Sequence, residues 1–430
     1  DVQHIVNHSD SVLFFAAESI FENIDESKMP HLTAIVSLEN FVPLYTKRSD
    51  GNKVFKEAAE YTLKNLSAES FALPDIQNDV LSAIVYTSGT TGFSKGVMLP
   101  QNSLSANVRY AQNNIPLKFG DKIVSFMPLA HSYGCAFEFL FPLSIGCHVT
   151  MLSKIPSPKI IVKAFQEVRP QLILSVPLVI EKIYKKQLMP VLSKPSMKIM
   201  LKLPIISKKI HAKIRQKLVD VFGGKFIEIV IGGAAFNPEV EEFLNKIGFP
   251  YTNGYGMTEC GPLISYDGYK STKMFSVGLE VDTLDVKIDS EDPENVVGEI
   301  LVKGENVMTG YYKNEEATRE AIDSDGWLHT GDLGVIDGDG YIFIKGRSKN
   351  MILGPSGQNI YPEEMEARLN NMTFVNESLV LDKGGKLVAL VHPDLEAVDA
   401  SGVDEKKLAA KMEENRKTLN AVVSAYMQIS

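Results

Sequence analysis

The densest set of groups able to hold an anion lies in Tyr86-Thr87-Ser88-Gly89-Thr90-Thr91-Gly92-Phe93-Ser94-Lys95-Gly96. Glycine lets a backbone bend sharply and come close to a ligand. The hydroxyls of Thr87, Ser88, Thr90 and Thr91 donate hydrogen bonds, and Lys95 adds a point charge. Gly89 and Gly92 free the backbone N–H groups between them, so the stretch describes a flexible cradle for phosphate oxygens. A polar loop between strand and helix is the plain alternative, and hydroxyls packed among glycines and closed by lysine favour phosphate. The ordinary nucleotide loop is Gly, four residues, then Gly-Lys-Ser/Thr. Here Lys95 follows Gly92 by three residues and precedes Gly96, which disfavours an ordinary GTPase or ATPase core.

Other stretches carry complementary groups. Residues 226–231 read as a continuous apolar strand running into Gly232-Gly233-Ala234-Ala235. Such small residues let a flat ring lie against backbone, with tight packing as the alternative. Then comes Thr252-Asn253-Gly254-Tyr255-Gly256-Met257-Thr258-Glu259. An aromatic flanked by glycines can stack on adenine, Thr258 can donate to a phosphate oxygen, and Glu259 offers the hard oxygen that Mg²⁺ favours. Further on, Trp327-Leu328-His329-Thr330-Gly331-Asp332 holds the only tryptophan, read as core packing. Asp332 can accept from both hydroxyls of a ribose, as acids do in other nucleotide sites. Asp337-Gly338-Asp339-Gly340-Tyr341 lacks the downstream glutamate of a calcium loop and reads as a hairpin turn.

These groups need a scaffold, and the hydrophobic pattern supplies one. Residues 80–85 read as a buried strand just before the phosphate stretch, and 103–113 as a helix just after it. Short strands at 11–15, 32–36, 122–126 and 172–176 alternate with helical or loop segments, which suggests α/β layers. The chain has 430 residues, 44% hydrophobic and 23% charged, enough for two to four domains with a sizeable core. A net charge of −9 gives nucleic-acid binding no support. Cys135, Cys147 and Cys260 show no metal spacing and fit buried thiols in a reducing, cytoplasmic setting. No apolar run is long enough to span a bilayer, since residues 136–145 are short and broken by Glu138 and Pro142.

Taken together, the stretches from Thr87 to Lys95, from Thr252 to Glu259 and from Trp327 to Asp332 resemble the signatures of the adenylate-forming superfamily of acyl-CoA synthetases, luciferases and peptide-synthetase adenylation domains. That superfamily usually has Pro where Ser94 stands, a position that shapes the loop. The resemblance covers nearly the whole chain with its motifs in order. The region 172–184 is similar to bacterial long-chain fatty acid–CoA ligases. The resemblance implies ATP-dependent activation of a fatty acid to an acyl-adenylate with release of pyrophosphate, then transfer to coenzyme A, with Mg²⁺. It implies that Thr87, Ser88, Gly89, Thr90, Thr91, Gly92 and Lys95 hold the ATP phosphates. Gly233, Ala234, Ala235, Gly254, Tyr255 and Gly256 would bind adenine, and Asp332 and Arg347 the ribose. Thr258 and Glu259 would act at the phosphates, with Glu259 holding the metal. His131, in Pro128-Leu129-Ala130-His131, would sit beside the acyl carboxylate, against the alternative of a helix-start histidine bonded to backbone. Lys349 would be the hinge, and Gly357 would let the backbone approach the reacting centre in the thioester step.

The implied architecture is α/β. It has an N-terminal adenylation domain over 1–348, of layered sheets plus a small β-barrel, and a smaller α+β lid over 349–430. Superfamily members begin before the point where Asp1 stands and continue past Ser430 to a lysine that contacts the substrate carboxylate. Both domains are therefore expected to be incomplete, and no residue here takes that lysine's role. Transfer of an acyl or aryl group to a carrier protein, or binding without catalysis, are the alternative functions. Residues 182–217, from Lys182 to Lys217, carry eleven lysines and arginines and no Asp or Glu, with Met200, Leu201, Leu203, Ile205 and Ile206 interleaved. A solvated helical face and a surface that meets anionic lipid at the inner face of a membrane are both open readings.

Overall fold

Leu172–Ser175 and Glu228–Ile231 are short, mostly apolar and buried at every position, the pattern of strands covered on both faces. They pair in parallel, and Tyr251–Gly256 pairs in parallel with the second of them. Beyond Tyr251–Gly256 the direction reverses: Leu263–Tyr266 and then Leu279–Glu280 are antiparallel, giving a five-stranded mixed sheet. The helix Pro238–Ile247 connects the last two parallel strands. Asn237 accepts from the N–H groups of Glu239 and Val240 at its start, and Gly248 closes it in the left-handed region. A core built on Phe165, Phe222, Phe226 and Phe249 packs beneath, with ring centroids 5.7 to 6.0 Å apart around Phe222 and Phe249.

The computed structural model describes residues 2–65, 67, 70, 74–87, 94–152, 157–192, 194–354 and 358–430. The chain divides into two units, Asp1–Gln101 with Thr309–Glu315, and Asn102–Met308 with Glu316–Ser430. In the first unit, Leu13–Ala16, Ala34–Ser37 and Pro43–Thr46 form one sheet over Val6, Met29, Leu32 and Ile35. A second sheet joins Leu81–Thr87, Lys95–Pro100 and Gly310–Tyr311, all antiparallel. A strand, where a helix was expected, follows residues 88–93, which lie outside the described residues. Residues 95–100 form a second strand before the helix Gln101–Asn114, because Val97 and Leu99 alternate into the interior and are fully buried.

The second unit holds the five-stranded sheet and a parallel pair, Lys122–Ser125 with His148–Met151. A four-stranded antiparallel sheet stands in the order Leu284–Asp289, Gly298–Gly304, Leu328–Ile336, Ile342–Arg347, and among the described residues it is open where a small barrel was expected. The final segment has its own α+β core of Ile360, Met365, Leu369, Val380, Leu387 and Leu419. It meets the rest of its unit through polar contacts. Asn237 Nδ2 donates to the Ala367 carbonyl at 2.8 Å, and Asn371 Nδ2 donates to Asn237 Oδ1 at 2.8 Å and to Glu239 Oε2 at 2.9 Å. Lys185 Nζ donates to the carbonyl of Asn370 at 3.1 Å, at the end of the helix Pro362–Asn370.

Two expectations are corrected. Trp327 is only half-buried, with Lys287 Nζ 4.1 Å above its ring, so a cation–π contact replaces core packing. Cys147 and Cys260 are buried free thiols, while Cys135 is half-buried at the start of the π-helical stretch Cys135–Leu140. Truncating Phe222 removes the ring shared by three aromatic neighbours. Phe222→Ala is expected to cost about 3–5 kcal/mol, read as a fall in the chemical-unfolding midpoint.

Candidate active site

Two neighbouring parallel strands end on the same edge of the five-stranded sheet. Glu228–Ile231 runs out into Gly232-Gly233-Ala234-Ala235, and Tyr251–Gly256 ends in the glycine–tyrosine–glycine run. Ligands of open α/β sheets bind outside that edge. A cavity of about 1070 Å³ opens there, walled by Gly233, Ala234, Ala235, Gly254, Tyr255 and Gly256. Asp332 and Arg347 from the four-stranded sheet line it too, as do Tyr361 and Glu363 of the final segment. Residues from separate motifs thus share one space. That space is closed in part at Gly346, where an added β-carbon would come 3.0 Å from the Tyr361 ring and 3.1 Å from Glu363 Oε2.

Asp332 and Arg347 are register partners on adjacent antiparallel strands. Arg347 Nε donates to Asp332 Oδ1 at 2.9 Å, and Tyr255 Oη donates to Oδ2 at 2.8 Å. The Asp332 side chain is 6% exposed and that of Arg347 65%. Burial pushes the Asp332 carboxyl up, against the pull of Arg347 and the Tyr255 hydroxyl. Burial and the neighbouring carboxylate hold the Tyr255 hydroxyl far above the usual phenol range, so it stays a donor. A carboxylate offers about four acceptor positions, so Asp332 keeps capacity for ligand hydroxyls after both contacts.

Past Gly256 the chain turns through Thr258–Cys260, and Thr258 and Glu259 are half-buried in that turn, off the cavity wall. The turn is fixed by residues that motif reading passes over. Asn107, fully buried on the helix Gln101–Asn114, donates from Nδ2 to the carbonyls of Ser103 at 2.8 Å and Cys260 at 3.0 Å. Its Oδ1 accepts from the N–H of Leu263 at 2.9 Å. Asn306 Nδ2 donates to the Leu263 carbonyl at 3.0 Å, and Ser103 Oγ donates to the Asn306 carbonyl at 2.6 Å. The N–H of Met308 donates to the Glu259 carbonyl at 2.7 Å. No spacing rule links positions 107, 260 and 306.

In the first unit, Thr87 and Lys95 are the last register partners before the residues that connect their two strands. Antiparallel pairing therefore sets the two ends of the phosphate stretch opposite each other, with Lys95 Nζ 4.7 Å above the Tyr311 ring. Ser88, Gly89, Thr90, Thr91 and Gly92 lie outside the described residues, as does Gly357. Lys349 is exposed in the turn after Arg347, where the N–H groups of Asn350 and Met351 donate to the Arg347 carbonyl at 3.1 and 3.0 Å. Asn350 Nδ2 reaches Glu363 Oε1 at 2.8 Å across that turn.

Residues 1–312 match the family model described as AMP-binding enzyme. The chain belongs to the AMP-binding enzyme family. It is 30% identical over 435 residues to long chain acyl-CoA synthetase 6, peroxisomal, of Arabidopsis thaliana, covering 94% of this chain and 61% of that protein. It is 27% identical to the chloroplastic long-chain-fatty-acid–[acyl-carrier-protein] ligase AEE15 of the same plant, over 89% of this chain and 59% of that protein. The chain therefore spans about 60% of the length of these relatives. Among solved structures, ATP-bound MatB from Rhodopseudomonas palustris superposes with a TM-score of 0.73 at 23% identity, over 100% of this chain and 76% of that one. At that identity the likeness establishes the fold.

In this AMP-binding enzyme the segment around His131 rests on a buried carboxylate. His131 is exposed and stands at the start of the short helix Ser132–Gly134, and its side chain makes no capping hydrogen bond. Tyr133 Oη donates to the Val230 carbonyl at 3.2 Å. Glu138, buried, accepts through Oε2 from the N–H groups of Phe126 and Met127, both at 2.9 Å, and so fixes the entry to the segment. Burial pushes its carboxyl from the ordinary 4.5 up to about 7, against those two N–H groups. Asn253 stands in the motif that precedes Glu259, and the sequence reading gives it no role there. It lines the cavity, its Nδ2 donates to Glu241 Oε1 at 3.0 Å, and its buried Oδ1 has no partner among the described residues.

Asn107→Ala leaves the Cys260 carbonyl and Leu263 N–H without partners at about 1–3 kcal/mol each. The expected result is a marked fall in thermal stability, which calorimetry reads. For Glu138 the folded carboxyl titrates above its unfolded value. Its favourable share is complete below about pH 4.5 and is lost as pH rises through about 7. Glu138→Gln, neutral throughout, is expected to gain on the parent chain by on the order of 3 kcal/mol across that window. Unfolding curves for the two chains at a series of pH values measure the divergence.

Proposed function

We propose that the chain activates a fatty carboxylate with ATP, releasing pyrophosphate, and passes the acyl group from AMP to the thiol of coenzyme A. The observation that supports this reading is the meeting of Gly233, Ala234, Ala235, Tyr255, Asp332 and Arg347 around one cavity, which at about 1070 Å³ has room for a nucleotide. The long-chain acyl-CoA synthetase relative supports the substrate class.

A carboxylate resists attack because its charge repels nucleophiles and its oxygen leaves poorly. Joining it to AMP removes both obstacles. In this reading the small residues 233–235 and Tyr255 clamp the adenine. Asp332 takes the ribose hydroxyls, held in place by Arg347 and Tyr255. Thr87, Ser88, Gly89, Thr90, Thr91, Gly92 and Lys95 hold the ATP tail. Thr258 donates to a phosphate oxygen, and His131 stands beside the acyl carboxylate. Such groups act by positioning and by stabilising charge that builds on the phosphoryl oxygens.

Among the described residues no cluster of three or more His, Cys, Asp or Glu side chains forms a metal cage. Mg²⁺ is commonly held by one or two carboxylates plus substrate phosphates, so the Glu259 carboxylate fits Mg²⁺ brought with ATP. When bound, the ion neutralises charge on the phosphates. The segment 349–430 serves as the lid, turning at Lys349 so that Gly357 approaches the reacting centre for thioester formation.

The carrier-protein ligase among the relatives favours a second reading, in which the acyl group goes to a carrier protein. Pyrophosphate release measured over acids of increasing length, with thioester formation followed with and without coenzyme A, separates the two. Glu259→Ala is expected to lower pyrophosphate release by ~10²-fold or more, by analogy with loss of one transition-state donor. Near-normal pyrophosphate exchange in that variant would refute the assigned role.

A further inference from the structure

The helices Pro195–Leu201 and Pro204–Val221 follow each other with only Lys202 and Leu203 between them. This junction leaves large apolar side chains in water. Ile205 is 77% exposed, Ile199 65%, Leu203 48% and Ile206 40%. Exposed apolar side chains gathered this closely mark a contact surface more often than scattered ones do. Lys194, Lys202, Lys208 and Lys209 surround them, all exposed. The first acid after Glu181 is Asp220, in a chain whose net charge is −9, so the positive charge is segregated.

We propose that this helical junction docks on the surface of an anionic lipid bilayer, with Ile199, Leu203, Ile205 and Ile206 entering the headgroup–acyl boundary and the flanking lysines pairing with lipid phosphates. The two features demand different things of a partner. Lysines need phosphate or carboxylate, and the isoleucines need an apolar medium just behind that charge. A bilayer interface presents those two layers in that order, and long Lys side chains reach from the apolar layer to the headgroups. A nucleic acid offers the charge without the apolar layer. Among the described residues no helix is long and apolar enough to cross a membrane, so the contact is peripheral. Under the function proposed above, a bilayer is also where a fatty acid partitions, although the docking itself does not depend on that function.

The test is co-sedimentation of the chain with vesicles of phosphatidylcholine alone and with about a third phosphatidylglycerol. Binding is expected only to the anionic vesicles and should fall as salt is raised. Replacing Lys202, Lys208 and Lys209 with Gln should weaken it about 10²-fold, at about five-fold per charge. Ile199→Ser with Ile205→Ser should weaken it at least ten-fold at unchanged net charge. Both variants change exposed residues away from the cavity, so unaltered circular dichroism and melting check their folds. Recovery in the supernatant with both vesicle types overturns the proposal. So does full binding by the isoleucine variant, or equal binding to a double-stranded oligonucleotide, because either reduces the junction to a simple polyanion contact. Pyrophosphate release from a water-soluble acid should be the same in all variants, so failure of vesicle binding and failure of the enzymatic reading register separately.

Discussion

A β-carbon at Gly256 would run into the Pro262 carbonyl, so this position admits only glycine without a backbone shift. That close approach lets the strand Tyr251–Gly256 switch from a parallel neighbour to an antiparallel one, with a register irregularity between Tyr255 and Gly256. The rest of the site hangs on this bend. It ends the parallel part of the sheet beside Gly233, and it starts the turn that carries Thr258 and Glu259. Asn107, Ser103 and Asn306 then tie the turn to a helix and a loop far away in sequence. Their hydrogen bonds satisfy backbone groups that the bend would otherwise bury without partners.

The second anchor is electrostatic. Asp332 is almost wholly buried, and a charge there is tolerable only with compensation. Arg347 and Tyr255 supply it from two different sheets, so the five-stranded and four-stranded sheets are coupled by one carboxylate. Arg347 is mostly exposed, so its side chain can also serve a ligand.

Much of this was legible in the sequence because the chemistry is local. The runs at 122–126, 172–176 and 226–231 announce strands by their apolar pattern. Gly233, Tyr255, Asp332 and Arg347 stand in short motifs whose residue types match nucleotide chemistry. What sequence hid is long-range. The strand after the phosphate stretch is masked by Gly96 and Pro100 at its two ends, and only pairing with Leu81–Thr87 and Gly310–Tyr311 shows that it exists. Trp327 looks like core by type, yet it works as a surface platform for Lys287, which lies two strands away in the same sheet. Asn107, Asn253 and Glu138 matter through what folds over them, and a lone buried Asn or Glu has no signature before folding.

The segment from Ile352 onward has an apolar core of its own and touches its surroundings through amide and carboxylate groups such as Asn237, Asn371 and Glu239, and through the Tyr361 ring beside Gly346. Hydrogen bonds of this kind exchange with water at a net cost of only about 1 kcal/mol apiece. If those contacts parted, water would take the place of the amide and carboxylate partners. Amide contacts of this kind can open and re-form while the core of Ile360, Met365 and Leu387 stays packed.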